Sequence, residues 1–391
     1  MHPILAALQA NADDIIAVRR DIHQHPELSF EEHRTSELVA RLLTEWGYEV
    51  ERGLGATGVV GRLRRGAGAR RLGIRADMDA LPMDERTGLP YASRHPGVMH
   101  ACGHDGHTAM LLGAARYLAE RGEFSGTLNL IFQPAEEGLG GARKMIEDGL
   151  FEKYPCDAVF ALHNSPGAPQ GRLLLRDGAA QASADSVTIT LDGIGGHGAM
   201  PHSAADPVVA GAAIVMALQT IVARNVDPLQ AAVITVGAFQ GGTAFNIIPA
   251  QVVLKLSVRA LDREVRQLLE GRIKALVSAQ AQSYGVSALV DYQRGYPVLV
   301  NTPAETDFAR QVALELLGEG NVILQAQPIT ASEDFAFMLD EVPGCYLLIG
   351  NGEGDEAGAC MVHNPAYDFN DKNVPVGAAY WALLCERYLS A

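Results

Sequence analysis

The stretch Thr127-Leu128-Asn129-Leu130-Ile131-Phe132 is followed at once by Gln133-Pro134-Ala135-Glu136-Glu137-Gly138. A short, mostly apolar run that stops at a turn containing proline and glycine predicts a buried strand. Adjacent glutamates are most often surface charge, but a turn directly after so apolar a strand is an uncommon place for charge without a role. Of two such glutamates, one can bind a metal ion while the other transfers protons.

Two other short apolar runs also end at a polar residue. Residues 71–76 precede Asp77, and residues 158–162 precede His163. Helical patterns accompany the strands, the first of them over residues 13–46, and this alternation predicts an α/β fold with a mixed, largely parallel sheet flanked by helices. In such sheets ligands bind beyond the carboxyl ends of the strands. We therefore expect Asp77, the glutamate pair and His163 to lie at one edge of the sheet.

The region from 185 to 297 has a different pattern. Its order is strand, helix, strand, strand, helix, strand, over residues 186–191, 208–224, 231–239, 252–260, 264–284 and 287–292. This βαββαβ order is the ferredoxin-like α+β unit. Short buried strands return after it, as at residues 345–349. The simplest organisation is a catalytic metal-binding domain made from residues 1–184 and 298–391, with residues 185–297 inserted as a lid or dimerisation domain.

Length, charge and cysteine content restrict the class of protein. The 391 residues exceed the usual size of one domain, and the net charge of −15 argues against nucleic acid, whose phosphates would be repelled. Five scattered cysteines without a CxxC spacing favour a reducing compartment over a disulfide framework. No signal-peptide pattern or apolar run of transmembrane length is present. We expect a cytoplasmic enzyme that acts on a small molecule and not at a membrane.

A cluster of metal-binding residue types lies between the first two predicted strands. It reads His100-Ala101-Cys102-Gly103-His104-Asp105-Gly106-His107, just before a helix whose N-terminus should lower the pKa of the thiol. Thiolate and neutral imidazole bind divalent ions such as Zn²⁺. Taken singly, Cys102 and His104 are as well explained by a buried structural cysteine and a capping or core histidine, and His107 is an alternative ligand. Their position beside the glutamate pair and His163 favours a metal site.

Two histidines elsewhere are also candidates. His363 lies in a loop and is either a further ligand or a surface histidine before a turn. His197 follows the glycine-rich stretch 193–196, which superficially resembles a phosphate-binding loop. The sequence Ala-Met-Pro-His comes after this loop instead of a helix, and the lysine of a P-loop is missing. The loop is therefore interpreted as a flexible segment that presents His197.

Together these motifs resemble the aminoacylase/carboxypeptidase family of two-metal hydrolases. They look most like the branch that contains hippurate hydrolase and the plant auxin-conjugate (indoleacetyl-amino acid) hydrolases. The matching segments extend over nearly the whole chain, at residues 20–29 (Arg-Asp-Ile-His-Gln-His-Pro-Glu-Leu-Ser), 75–82 (Arg-Ala-Asp-Met-Asp-Ala-Leu-Pro), 102–107, 133–138, 196–202, 241–249 (Gly-Gly-Thr-Ala-Phe-Asn-Ile-Ile-Pro), 332–335 (Ser-Glu-Asp-Phe) and 363–368.

The resemblance implies a set of metal ligands. Cys102 would be shared between two divalent ions in each subunit. His104 and His163 would complete one site, and Glu137 and His363 would complete the other. A thiolate ligand favours Zn²⁺, whereas relatives in this branch are often described with Mn²⁺, so that both ions stay open.

The resemblance also implies roles around the metals. Glu136 would be the general base, and His197 would stabilise the oxyanion from the partner subunit of a homodimer, or of a larger assembly of dimers. Asn246 and Arg259 are candidates to bind the α-carboxylate of the substrate, although Arg259 is equally well explained as an ordinary strand-end charge. Many relatives outside this branch carry a His-x-Asp motif whose histidine is a metal ligand, where this chain has Arg-Ala-Asp. Asp77 is therefore at best an orienter of a ligand histidine.

The predicted function is a metal-dependent amidohydrolase. It would cleave N-acyl-L-amino acids, such as hippurate-like or N-acetyl compounds, into a carboxylic acid and a free amino acid, with a metal-activated water and Glu136 as base. One alternative is a metallo-dipeptidase or carboxypeptidase that uses the same site. Another is an inactive metal-binding homologue, which the retention of Glu136 beside Glu137 argues against.

Overall fold

A computed structural model gives the fold, and it describes residues 1–390. The helices are α1 Pro3–Gln9, α2 Ala12–Gln24, α3 His33–Glu45, α4 His104–Arg121, α5 Gly141–Glu147, α6 Leu150–Lys153, α7 Pro207–Asn225, α8 Arg263–Ser283, α9 Pro303–Leu317, α10 Phe335–Glu341 and α11 Asn373–Tyr388. The strands are β1 Glu49–Leu54, β2 Gly58–Arg65, β3 Arg71–Asp77, β4 Gly126–Gln133, β5 Ala158–Pro166, β6 Leu173–Leu174, β7 Gly178–Gln181, β8 Ser183–Asp192, β9 Gly196–His197, β10 Ala232–Gln240, β11 Ile247–Ile248, β12 Gln251–Ala260, β13 Ser287–Arg294, β14 Leu299–Asn301, β15 Val322–Ile323 and β16 Gly344–Gly352.

The chain divides into two compact units. The first contains Met1–Gly178, Val300–Gln327 and the described residues from Asp334 onward, and the second contains Ala179–Leu299 and Pro328–Glu333. The assignment of residues 185–297 as a lid or dimerisation domain stays a prediction.

The first unit is built on an eight-stranded sheet with the order β1-β2-β4-β3-β5-β16-β6-β15. The central pairs β4–β3, β3–β5 and β5–β16 are parallel, while β1–β2, β2–β4 and β16–β6 are antiparallel. The predicted α/β class with a mixed, largely parallel sheet and flanking helices is thus confirmed. Because β3 and β4 are parallel, with Asp77 opposite Gln133, both strands deliver the segments that follow them to one edge of the sheet.

Two details of this unit differ from the sequence patterns. The helical spacing over residues 13–46 is divided between α2 and α3, because Pro26 lacks the N–H needed to continue a helix and restricts the residue before it. Strand β5 continues to Pro166, so that His163 lies within the strand and not after it. The sequence indicated an earlier end for β5, since His163 and the residues after it are polar.

The second unit carries a four-stranded antiparallel sheet with the order β10-β12-β8-β13. Its chain order is β8-α7-β10-β12-α8-β13, which is the βαββαβ topology. Alternate residues of β12 from Val252 to Ala260 are buried, and they pack with α7 and α8 in a core of their own. Asp206 begins α7 as an N-cap, because its carboxylate accepts the N–H groups of Val208 and Val209.

Helix α7 is the only helix among residues 1–390 that is long and apolar enough to cross a membrane by length and composition. About a third of its most apolar window is buried inside the protein. One such helix is weak support for a membrane span, since core helices of soluble proteins pass the same test.

Candidate metal centre

The loop that carries Cys102 and the first turn of α4 are fixed by a glycine. Gly103 has φ +93°, in the left-handed region that side chains disfavour. A Cβ atom at this position would lie 2.4 Å from both Asn164 Nδ2 and Tyr367 Oη. Cys102 and His104 thus flank a glycine whose backbone packs closely against these two side chains.

The predicted ligand residues are close together. One ligand atom from each member lies within 4.8 Å of the others in the groups Cys102–Glu137–His363, His104–Glu136–Glu137 and Asp77–His104–His107–His163. Cys102 Sγ is 3.4 Å from His163 Nε2, and Glu137 Oε1 is 3.1 Å from His363 Nε2. Residues as far apart in the chain as Cys102 and His363 thus meet at one place in the first unit.

One of these side chains has a buried ring nitrogen without a hydrogen bond among the described residues, His104 Nε2. The buried Glu137 Oε1 has the 3.1 Å contact with His363 Nε2 described above. An unsatisfied buried donor or acceptor typically costs about 1–3 kcal/mol, so such atoms point to a missing partner. Thiolate, imidazole and carboxylate together form a donor set that suits borderline divalent ions. The residues present therefore fit a metal centre.

His107 was the alternative ligand, and both of its ring nitrogens are already engaged. Nδ1 lies 2.6 Å from Asp77 Oδ1, and Nε2 accepts the backbone N–H of Asn164 at 3.0 Å. No lone pair on this ring is left for a metal ion. His107 instead links β3 to β5 behind the ligands.

Asp79 was not among the residues predicted from the sequence, yet it holds two of the ligand segments. Its Oδ1 lies 3.1 Å from His104 Nδ1, which leaves Nε2 of that ring as the metal-facing nitrogen. Its Oδ2 accepts the backbone N–H of Glu137 at 3.0 Å and the hydroxyl of Ser29 at 2.8 Å. The Asp-Met-Asp spacing after β3 was the available signal, because residues two apart in an extended segment project in the same direction.

Asp77 contacts several buried charged groups beside the predicted ligands. Besides His107, it accepts a hydrogen bond from Arg75 Nη1 at 2.7 Å, and its Oδ2 lies 3.7 Å from His104 Nε2. Arg75 in turn binds Gln133 and Asp334, at 2.7 and 3.1 Å. The Asp77 carboxylate therefore balances the buried positive charge of Arg75 next to the ligands.

The electrostatics of the cluster differ from residue to residue. Burial, reinforced by His107, holds the pKa of His163 well below its usual range, which keeps the ring neutral as a ligand must be. Hydrogen bonds to Cys102 and Glu137 raise the pKa of His363 to about 10. Burial, followed by the charge of Glu137, raises the pKa of the Cys102 thiol, so the expected lowering by the helix N-terminus is not observed. The cluster therefore attracts positive charge, and a bound cation would favour the thiolate.

Glu136 is presented by a backbone turn that is held in place. Its side chain is buried, and Oε1 lies 3.4 Å from the backbone nitrogen of Asp334, which donates to it. The preceding residue, Ala135, has φ +52°, a left-handed conformation that costs a non-glycine residue about 1–2 kcal/mol.

The remaining predicted residues belong to the second unit. His197 on β9 pairs with Ile247 on β11, and the N–H of Gly198 donates to the carbonyl of Asn246 at 2.8 Å, so that His197 and Asn246 share one short exposed ribbon. Arg259 lies on β12, where its Nη1 is buried without a hydrogen bond among the described residues. Their predicted roles stay predictions.

Comparisons with known proteins identify the family of this chain. The model of peptidase family M20/M25/M40 matches residues 73–387. The chain is 49% identical over 372 residues to a hippurate hydrolase of Campylobacter jejuni, covering 95% of this chain and 96% of that protein. It is 39% identical over 382 residues to an IAA-amino acid hydrolase of Arabidopsis thaliana, covering 96% and 87%.

A solved structure also supports this family assignment. A dinuclear metal-binding peptidase of the M20 family from Bacillus subtilis has a TM-score of 0.85 and 33% identity, over 98% of this chain and 99% of that one. The predicted resemblance to the hippurate and auxin-conjugate hydrolase branch is thereby confirmed. The chain belongs to peptidase family M20/M25/M40 and is a metal-dependent amidohydrolase.

Proposed function

We propose that this enzyme hydrolyses the amide bond of N-acyl-L-amino acids and releases a carboxylic acid and a free amino acid. The observation that carries the proposal is the position of Glu136, a buried carboxylate whose ligand-type atom lies within 4.8 Å of those of His104 and Glu137. Metal-dependent amide hydrolysis at neutral pH requires a proton acceptor beside the metal centre. The two relatives named for hippurate and IAA-amino acids support an acyl amino acid as substrate.

Two divalent ions, Zn²⁺ or Mn²⁺, would be held by five side chains. Cys102 would be shared, His104 and His163 would serve one ion, and Glu137 and His363 the other. When bound, the ions supply Lewis-acid polarisation of the amide carbonyl and lower the pKa of the attacking water. The thiolate argues for Zn²⁺, and the carboxylate on the second side also suits Mn²⁺.

Glu136 acts as the general base and then as an acid. Its carboxylate takes a proton from the attacking water and passes it to the departing amide nitrogen, which converts a poor leaving group into a free amine. Burial of Glu136 limits loss of that proton to solvent and so keeps it available for the nitrogen.

The second unit contributes the groups that bind the reacting molecule. His197 donates a hydrogen bond to the developing oxyanion, and Asn246 and Arg259 bind the α-carboxylate. The buried, unpaired Nη1 of Arg259 supports this role, since a guanidinium offers a fork that matches a carboxylate. His197 would act in the active site of the partner subunit.

A homodimer is therefore part of the proposal. Helix α7 supports it, because Val209 and Met216 on this apolar helix are 51% and 71% exposed and would be covered by a second copy. A cytoplasmic location is supported by the cysteines, all five of which are free.

Hydrolysis assays on metal-defined protein test the function. Protein stripped by a chelator is reloaded with Zn²⁺ or Mn²⁺ and assayed on benzoylglycine, several N-acetyl amino acids and a panel of dipeptides. We expect activity to vanish on stripping and to return with one of the ions on the acyl amino acids. Activity restricted to dipeptides would replace the proposed substrate class with a peptidase.

Glu136→Gln tests the base and excludes an inactive homologue. The change should lower kcat by about 10²–10⁴-fold, because the proton acceptor is lost. Metal content, measured by elemental analysis, should stay at the wild-type value since Glu136 is not a ligand. Unchanged activity would contradict the role of Glu136.

Mixing two inactive variants tests the action of His197 across subunits. In a mixed dimer of His197→Ala and Glu136→Gln, one active site would receive both wild-type side chains only if His197 comes from the partner. Random exchange of subunits should then restore about a quarter of the wild-type sites. If His197 acts within its own subunit, no site is complete and the mixture stays inactive.

A further inference from the structure

The turn that presents Glu136 is held by two buried carboxylates from distant parts of the chain. Glu32 accepts the backbone N–H of Ala135 at 2.9 Å, and Asp79 accepts that of Glu137 at 3.0 Å. These two N–H groups flank the peptide unit of Glu136 on both sides. Asp79 also contacts a predicted ligand, whereas Glu32 contacts none of the predicted ligands among its hydrogen-bond partners.

The side chain of Glu32 does not serve its own helix. Glu32 stands at the N-cap of α3 but makes no side-chain capping bond there. The first N–H groups of α3 are satisfied by Glu27, which accepts from Arg34 at 2.8 Å and from Thr35 at 2.9 Å. The Glu32 carboxylate reaches away from the helix, to Ala135 and to the hydroxyl of Thr57 at 2.5 Å.

Burial of the Glu32 carboxylate is unfavourable, and an apolar side chain could not accept the hydrogen bonds that it makes. Glu32 has no exposed surface, and burial raises the pKa of its carboxyl to about 7. The N–H of Ala135 would be buried without a partner if Glu32 were truncated. Ala135 also has the left-handed φ of +52°, a conformation that persists only when the surroundings enforce it.

The other side of Ala135 is fixed as well. Its carbonyl accepts the N–H of Gly141 at 3.0 Å. A Cβ at position 141 would lie 1.7 Å from the carbonyl oxygen of Pro134, so this residue must be glycine for the turn to close. Glu32 is thus one of the contacts that define the backbone from which the Glu136 side chain projects.

We propose that Glu32 is a positioning residue for catalysis, which fixes the Ala135 peptide in its left-handed conformation and so places the Glu136 carboxylate for proton transfer. The proposal rests on the proposed role of Glu136 as general base. Displacement of a catalytic group by about 1 Å is enough to cost about 10²-fold in rate. The effect should therefore appear in kcat, while KM and metal content stay close to wild type.

Two conservative variants distinguish the effect of the Glu32 side-chain length from that of its negative charge. Glu32→Gln keeps the length, and its amide oxygen can still accept the Ala135 N–H while the Thr57 hydroxyl turns to accept from the amide nitrogen. Glu32→Asp keeps the charge but is one methylene shorter and cannot reach both partners. Positioning predicts that Gln retains most of kcat and that Asp loses about 10- to 100-fold. A role for the negative charge predicts the opposite order.

Hydrogen exchange gives a readout that does not depend on turnover. The amide of Ala135 should exchange faster in Glu32→Asp than in wild type, and at the wild-type rate in Glu32→Gln, as measured by mass spectrometry on a peptide that covers residues 133–138. Glu27→Ala is the matched control, because it removes a half-buried capping carboxylate from the same helix without touching the turn. It should lower the melting temperature but leave the exchange of this peptide and kcat per folded molecule unchanged.

The outcomes distinguish this proposal from the proposed function. Glu136→Gln is assayed in parallel on the best amide substrate. If Glu136→Gln is inactive but Glu32→Asp matches wild type in kcat and exchange, the positioning role is wrong and the base assignment stands. If Glu136→Gln is fully active, the proposed function fails first. Equal losses in the Gln and Asp variants of Glu32, or a loss in Glu27→Ala as large as theirs, would also overturn the positioning role.

Discussion

Asp79→Asn is expected to weaken metal binding although Asp79 is not itself a predicted ligand. One carboxylate receives three donors: Nδ1 of His104 at one oxygen, and the Glu137 N–H and the Ser29 hydroxyl at the other. Asparagine has the same shape but only one acceptor oxygen, and its NH₂ group would face a donor on the opposite side. At least one of the hydrogen bonds that orient a ligand must then be lost.

The size of the effect follows from the bond that is lost. Hydrogen bonds to charged groups contribute about 1.5–3 kcal/mol, and loss of a partner behind a ligand histidine typically lowers metal affinity by about 10- to 100-fold. If the amide nitrogen faces His104, the ion bound with His163 should be weakened. If it faces Glu137, the ion bound with His363 should be weakened. The two ions are therefore expected to lose affinity unequally.

Metal titration against a competing chromophoric chelator measures both affinities without any substrate. Asp13→Asn is the matched control, since Asp13 is an exposed aspartate on α2 and its loss changes the net charge by the same amount. Wild-type affinities for both ions in Asp79→Asn would refute the role of this carboxylate. An equal loss in Asp13→Asn would show that net charge, and not orientation, sets the affinity.

Three further predictions concern pH, backbone geometry and metal preference. Burial lowers the pKa of His23, but the charge of Asp105 outweighs burial and raises the pKa to about 9. The protonated histidine should therefore stabilise the fold fully below pH 6.5. This contribution of up to about 3 kcal/mol to the free energy of unfolding should be lost as the pH rises through 9. Unfolding of His23→Gln by denaturant should show a flatter pH dependence over this range, and His33→Gln should not. In the same denaturant assay, Gly103→Ala should lower the free energy of unfolding by about 1–3 kcal/mol more than Gly88→Ala. Both glycines have positive φ, but of the two only Gly88 has nothing within 4 Å of an added Cβ. Cys102→Ser should lower the affinity for Zn²⁺ more than that for Mn²⁺ in a chelator titration, since a hydroxyl replaces a soft thiolate.

Local patterns in the sequence were sufficient to predict the α/β sheet and the grouping of candidate ligands. Strands β3 and β4 end within one residue of the predicted positions, because their apolar runs are bounded by polar or Pro-containing segments. The ligand types were recognisable because Cys102 and His104 lie two residues apart before a helix, and the parallel sheet brings the strand ends together. Pro26 divides the N-terminal helical pattern, and this break was not anticipated.

The choice among histidines could not be made from spacing. His104 and His107 both lie in the first turn of α4, and Nδ1 of each ring lies close to an aspartate at or just after the end of β3. Only the position of β5 distinguishes their roles. The backbone N–H of Asn164 on β5 donates to Nε2 of His107, whereas Nε2 of His104 has no such donor. Such a difference depends on contacts between strands far apart in the chain, which no local pattern contains.

The same reasoning applies to the turn between β4 and α5. Two buried carboxylates accept backbone N–H groups of this turn, Glu32 from Ala135 and Asp79 from Glu137, and a third, Asp334, accepts that of Ala142 in the first turn of α5. A buried carboxylate is tolerated only where such donors compensate for lost hydration, so each of these acids and the turn require one another. The conformation of the glutamate pair is thus determined by residues 29–32, 77–79 and 334 as much as by its own sequence. Mutations in these three segments should therefore change catalysis through the turn, even where they touch neither substrate nor metal.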